Sequence, residues 1–165
     1  MKIDFQRYIY LHQPSIKRKK SVPSVSSVRQ KIKERINPCD KNMTDNELTY
    51  QIRGAIFEVY NTLGPGLLES VYEEALVFEL QQRGLHVARQ LDVPINYKGN
   101  CLKTALRLDL LIENQIIIEL KSVEELKPVF AKQLLTYLRL MNKPLGLLVN
   151  FSSNNIREGI IRIAN

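Results

Sequence analysis

Three isoleucines in a row, Ile116, Ile117 and Ile118, run into Glu119-Leu120-Lys121, and no other stretch constrains the fold of this chain as tightly. β-Branched residues lose side-chain freedom in a helix and pack well on a pleated surface. A run with no apolar–polar alternation fits a strand covered on both faces, hence a sheet with helices above and below it. A carboxylate and an ammonium two residues apart then share one face of that buried strand. They need a physical reason to be there.

The preceding residues sharpen the question. Glu113-Asn114-Gln115 reads as a three-residue hairpin loop with Asn114 at positive φ. Ile112 then pairs with Ile116, and counting back sets Asp109 opposite Glu119. Glu119 and Lys121 take one face, and Ile116, Ile118 and Leu120 the other. A two-residue loop would shift this register. Two carboxylates facing each other repel, and burying an unpaired ion costs several kcal/mol or more. One ammonium neutralises only one of them. Two readings remain open on spacing alone: an ion pair of Lys121 with Glu119 or Asp109 at the wet end of a strand, or a divalent cation held by hard oxygen ligands.

The rest of the chain supplies the frame. Thr44 and Glu47 form a capping box ahead of a stripe of Leu48, Ile52, Ala55, Ile56, Val59 and Leu63. Gly64-Pro65-Gly66 ends that helix. A second helix ends at Gly84, with Leu68, Tyr72, Ala75, Leu76 and Leu80 on its apolar face. Residues 85–100 have a period of two and read as a strand pair, with Pro94 marking an edge or a bend. Lys98-Gly99-Asn100 reads as a turn, residues 101–113 as a strand, residues 128–143 as a helix after Lys127, and "PLGLLVNF" as another strand. The closing "NNIREGIIRIAN" is expected to be strand. This order predicts one mixed α/β domain.

Charge divides the chain unevenly. The net charge is +7, yet residues 1–42 carry eleven Lys/Arg against three Asp/Glu, and residues 43–165 carry thirteen against fourteen. Residues 1–42 are expected to form a basic, disordered extension, with a short basic helix over 29–36, suited to a polyanion or simply solvated. Met43, directly before the capping box, is an alternative translation start. No apolar run approaches the ~18 residues of a membrane span. Cys39 and Cys101 make neither a disulfide framework nor a four-ligand zinc site. A cytoplasmic protein without membrane partners is expected.

Further polar residues recur at helical spacing. Gly66, Glu69 and Tyr72 stand three apart at the start of the second helix, and Gln133 and Tyr137 four apart on the third. Singly each has an ordinary explanation: a charge at a helix start, a solvated amide, a core tyrosine whose hydroxyl reaches water. As an ordered set, Gly66-x-x-Glu69-x-x-Tyr72, Asp109, Glu119-Leu120-Lys121 and Gln133-x-x-x-Tyr137 resemble the GxxExxY protein family, within the PD-(D/E)xK nuclease-like superfamily. The similarity runs from about Met43 to the C-terminus and includes "ELKSVEEL" and "GLLVNF"; Leu108 stands where the superfamily's name has proline.

The resemblance implies a restriction-endonuclease-like core, a mixed sheet of about four strands flanked by helices. It also implies a Mg²⁺-dependent (or Mn²⁺-dependent) phosphodiesterase acting on nucleic acid, DNA ahead of RNA. Asp109 and Glu119 would bind the metal, with the Leu120 carbonyl as a further ligand and Glu69 bound directly or through water. Lys121 would orient or help deprotonate the attacking water and steady the charge on phosphorus. Gln133, Tyr137, Tyr72 and Gly66 would support the site or touch nucleic acid. Lys98, Lys103, Arg107 and Lys132 are candidates for a basic patch. A non-catalytic nucleic-acid-binding or regulatory module on the same fold is the alternative.

Overall fold

The structure, a computed structural model, describes residues 43–165. The expected extension over 1–42, with its helix at 29–36, lies outside the described residues. Helix α1 spans Asp45–Leu63. Its capping box is present: the Thr44 hydroxyl accepts from the Glu47 amide, and the Glu47 carboxylate accepts from the Thr44 amide at 2.9 Å. Gly64 ends the helix at φ 67, a backbone conformation that side chains disfavour. Helix α2 (Glu69–Gln82) buries Tyr72, Leu76, Val77 and Leu80. Two details differ from its expected face. Leu68, at the helix start, is exposed, and Glu73 is buried among the apolar residues.

Strand β1 (Val87–Tyr97) turns at Lys98-Gly99 into β2 (Asn100–Ile112), and β3 (Ile116–Lys121) follows. Residues 87–97 form one strand where a pair was expected. Pro94 is tolerated because β1 is the sheet edge and its register shifts between Pro94 and Asn96. Helix α3 (Pro128–Met141) crosses over to β4 (Leu145–Asn150). The closing segment is not all strand: Asn155 caps a single helical turn, α4 (Ile156–Gly159), and β5 (Ile160–Ala164) comes after it.

The five strands lie in the order β1-β2-β3-β4-β5, in keeping with the mixed sheet of about four expected. Only β3 and β4 are parallel, the pair joined by the helical crossover. One core lies between α1, α2 and the sheet, where Leu110, Ile112, Ile116, Ile118 and Leu120 point. The other lies under α3, where Ile117, Leu111 and Leu148 meet Leu134 and Leu138. The triple isoleucine is therefore buried on both faces, in a restriction-endonuclease-like mixed α/β sheet. No helix among the described residues is long and apolar enough to cross a membrane.

The β2–β3 register is the expected one, with Ile112 opposite Ile116. Its turn differs in one respect. Glu113 joins Asn114 at positive φ (49 and 52), and the Gln115 amide closes the loop on the Ile112 carbonyl at 2.8 Å.

Candidate active site

The site lies where β2 peels away from β3. Main-chain pairing ends at Leu110–Ile118. One residue further on, Asp109 Oδ2 accepts from the Leu120 amide at 2.8 Å, replacing the lost strand acceptor with a carboxylate. The far side is distorted at the same level. Pairing of β1 with β2 passes from Arg89–Leu110 to Leu91–Leu108, and Gln90 between them sits at φ 48. Such strain persists only where surroundings hold it. Here Glu73 on α2 accepts from the Gln90 side chain and from Arg89 Nε at 2.9 Å.

Glu119 and Lys121 face α3, as alternation along β3 requires. Glu119 is only 2% exposed. Its Oε1 accepts from Lys121 Nζ at 2.9 Å and from Gln133 Nε2 at 3.1 Å. Its Oε2 is buried with no hydrogen-bond partner among the described residues. Lys121 Nζ also donates to the Leu120 carbonyl at 2.9 Å and lies 5.4 Å over the Phe130 ring. Gln133 donates to the Tyr137 hydroxyl at 2.7 Å, and that hydroxyl donates to the Arg107 carbonyl at 3.0 Å. Gln133 and Tyr137 thus join the Glu119 carboxylate to the backbone of β2.

The charges are in tension. Burial, reinforced by the nearby Asp109 charge, raises the Glu119 pKa from 4.5 to about 7, although Lys121 pulls the other way. Asp109 is also raised, chiefly by burial, with the Glu73 and Glu69 charges adding to it against the Leu120 amide and Lys121. For Lys121, burial disfavours the ammonium. The hydrogen bond to Glu119 and the charges of Glu119, Asp109 and Glu69 outweigh it, so the pKa is raised.

Glu69, Tyr72 and Gly66 sit beside this cluster and not in it. Glu69 accepts from the Ser122 amide at 3.0 Å, on the residue following Lys121. Among the described residues no three His, Cys, Asp or Glu side chains come close enough to hold a metal ion together, so Glu69 stands apart from Asp109 and Glu119. Tyr72 is fully buried and stacks on Phe151 with ring centroids 4.4 Å apart. Its hydroxyl donates to the Gly64 carbonyl at 2.6 Å and accepts from the Leu67 amide at 3.1 Å. A ring with no exposed surface cannot touch nucleic acid; it fixes the loop that presents Glu69. Gly66 sits in that loop at φ 103, which favours glycine.

Three further residues brace the site and were not anticipated. Asn150 is buried, accepts from the Val123 amide at 3.1 Å and donates to the Val123 carbonyl at 2.8 Å, pinning the chain just past Lys121. The Ser122 hydroxyl donates to the Leu67 carbonyl at 2.6 Å and lies 2.9 Å from the Ser152 hydroxyl. The signal for Asn150 was a lone amide ending the apolar run Leu147-Leu148-Val149, where a solvated side chain is the usual case.

The donor set suits Mg²⁺. That ion is commonly bound through one or two carboxylates and keeps several waters, so no closed protein cage is needed. Asp109, the unpartnered Glu119 Oε2 and the Leu120 carbonyl are hard oxygen donors, and a cation would relieve the carboxylate repulsion. The Lys121 ammonium already bonds two of those groups, Glu119 and the Leu120 carbonyl.

No curated protein and no solved structure matches the chain. The family model of the PD-(D/E)XK nuclease superfamily matches residues 46–163, which takes in nearly all of the sheet and its helices and all the site residues above. The acid-x-Lys strand, the carboxylate at the strand fork and the helix-covered sheet agree with that match, and the chain belongs to the PD-(D/E)XK nuclease superfamily.

Proposed function

We propose that this chain is a metal-dependent nuclease of the GxxExxY type that hydrolyses phosphodiester bonds, in DNA ahead of RNA. One observation carries the proposal: a buried carboxylate, Glu119, has one oxygen unpartnered and a raised pKa beside a second carboxylate and an ammonium. Asp109, Glu119 and the Leu120 carbonyl would hold Mg²⁺ or Mn²⁺, with Glu69 reaching it only through water. A divalent ion there supplies an acidified water and a polarised phosphoryl oxygen.

The chain's own groups do the positioning. Lys121 acts as an ammonium, since its pKa is raised. It orients the attacking water and steadies charge on the phosphoryl oxygens, which fits better than direct proton abstraction. Gln133, itself bonded to Tyr137, keeps Glu119 Oε1 aimed at Lys121, leaving Oε2 for the cation.

The test is cleavage of a panel of single-stranded, duplex and RNA substrates with Mg²⁺ or Mn²⁺. Wild type is expected to cut at least one and Lys121→Ala none. Equal cutting by both would point to a contaminating nuclease and leave a non-catalytic binding module ahead.

Residues 43–165 form the nuclease domain in this reading, and residues 1–42 a basic extension adding nonspecific attraction. Deleting 1–42 is expected to weaken DNA binding and flatten its salt dependence without abolishing cleavage, because fewer phosphates are then neutralised. An unchanged salt slope in a binding titration would refute that role.

A further inference from the structure

Beyond the root, which α2 and α3 cover, the β1–β2 hairpin has no third strand and no helix on it among the described residues. Strand β3 meets β2 only over Leu110–Ile112. Past Val93 and Leu106 the two strands continue alone, pairing Pro94–Ala105, Asn96–Cys101 and Tyr97–Asn100. From Asn96 to Lys103 every side chain is exposed, apolar Tyr97 and Leu102 among them. A two-stranded hairpin gains little stability alone, so packing does not explain its length.

Its charge is distinctive. Residues 94–107 carry Lys98, Lys103 and Arg107 and no acidic residue, whereas the rest of residues 43–165 hold ten basic against fourteen acidic residues. Arg107 meets Asp92 at 3.1 Å, but both are well exposed, and such a pair binds weakly enough to release a guanidinium to a phosphate. Lys98 lies 5.5 Å over the Tyr97 ring at the tip. At the root, Tyr137 holds the Arg107 carbonyl, two residues from Asp109.

Resting on the nuclease reading, we infer that this ribbon is the substrate-binding arm and that its ligand is duplex nucleic acid. A two-stranded ribbon fits the major groove, about 12 Å wide. Four residues of strand beyond Val93 reach about 13 Å, enough to enter it. Single-strand binders instead line a basic channel with successive aromatic platforms. This ribbon offers one aromatic ring, Tyr97, and the chain has no tryptophan. Lys98, Lys103 and Arg107 meet backbone phosphates, and the root directs the bound backbone toward Asp109 and Glu119.

The experiment is a fluorescence anisotropy titration of the full chain with a labelled short duplex and with its separate strand, in EDTA over a range of salt. Lys98→Gln combined with Lys103→Gln is expected to weaken duplex binding about tenfold or more and to lower the salt slope by about two, with little change on the single strand. Both positions are exposed, and an unchanged melting temperature will show that the variant folds. Unchanged duplex affinity and slope, or a larger loss on the single strand, would overturn the ribbon inference. Failure of the wild type to bind or cut any nucleic acid would instead overturn the nuclease reading on which it rests.

Discussion

Asp109→Asn is expected to lower cleavage on the order of 10³-fold while leaving the chain folded. The substitution separates two jobs of this side chain. The carbonyl oxygen of the substituted amide can still accept from the Leu120 amide, so the fork between β2 and β3 should persist. What disappears is one of the two charges that would hold the metal. Stability should not fall, because the buried carboxylate is disfavoured by its surroundings and also presses on Glu119. Cleavage rates at saturating Mg²⁺ and thermal melting of the same sample check both halves. A variant that cuts as well as wild type, or one that loses activity only because it unfolds, would contradict the assignment.

The second large effect is in stability against pH without divalent metal. Glu119 has a folded pKa raised to about 7 from 4.5. The folded chain therefore holds that proton more tightly than the unfolded chain does. Its stability is greatest below the ordinary carboxylate value and falls as pH rises through the folded value. A shift of this size corresponds to about 3 kcal/mol between roughly pH 4 and pH 8, or roughly 10 °C of melting temperature. Asp109, raised too, slopes the same way. Glu119→Gln removes the larger part: melted in EDTA, wild type should lose stability from about pH 4 to about pH 8 while the variant keeps only the shallower slope due to Asp109. Parallel profiles would mean that the carboxylate is not under the strain argued for it.

Much of this site was legible because local rules act over short distances. The Thr44–Glu47 box sits within one helical turn, and the short loop at 113–115 sets the register that pairs Ile112 with Ile116 and brings Asp109 to the Leu120 amide beside Glu119. Alternation along β3 puts Glu119 and Lys121 on one face, but that this face lies under the helix bearing Gln133 shows only in the structure. The bracing was not legible because its partners are distant in sequence. Nothing near Gln90 announces that Glu73, seventeen residues earlier, will hold it at positive φ. Asn150 reads as solvated until β4 is placed beside β3, where its amide meets Val123. The periodicity of 85–100 could not distinguish one bent edge strand from two short ones, because that depends on which side of β1 lacks a neighbour.

Cation binding decides whether Asp109 and Glu119 form a metal site. Mn²⁺ titrated into the metal-free chain at mildly alkaline pH, followed by calorimetry or by the electron paramagnetic signal of the free ion, should show one ion taken up per chain. Affinity should drop by about tenfold or more in Glu119→Gln and in Asp109→Asn, with the wild-type melting temperature rising as the ion binds. Equal Mn²⁺ affinity in the wild type and both variants would mean that Asp109 and Glu119 do not hold the ion.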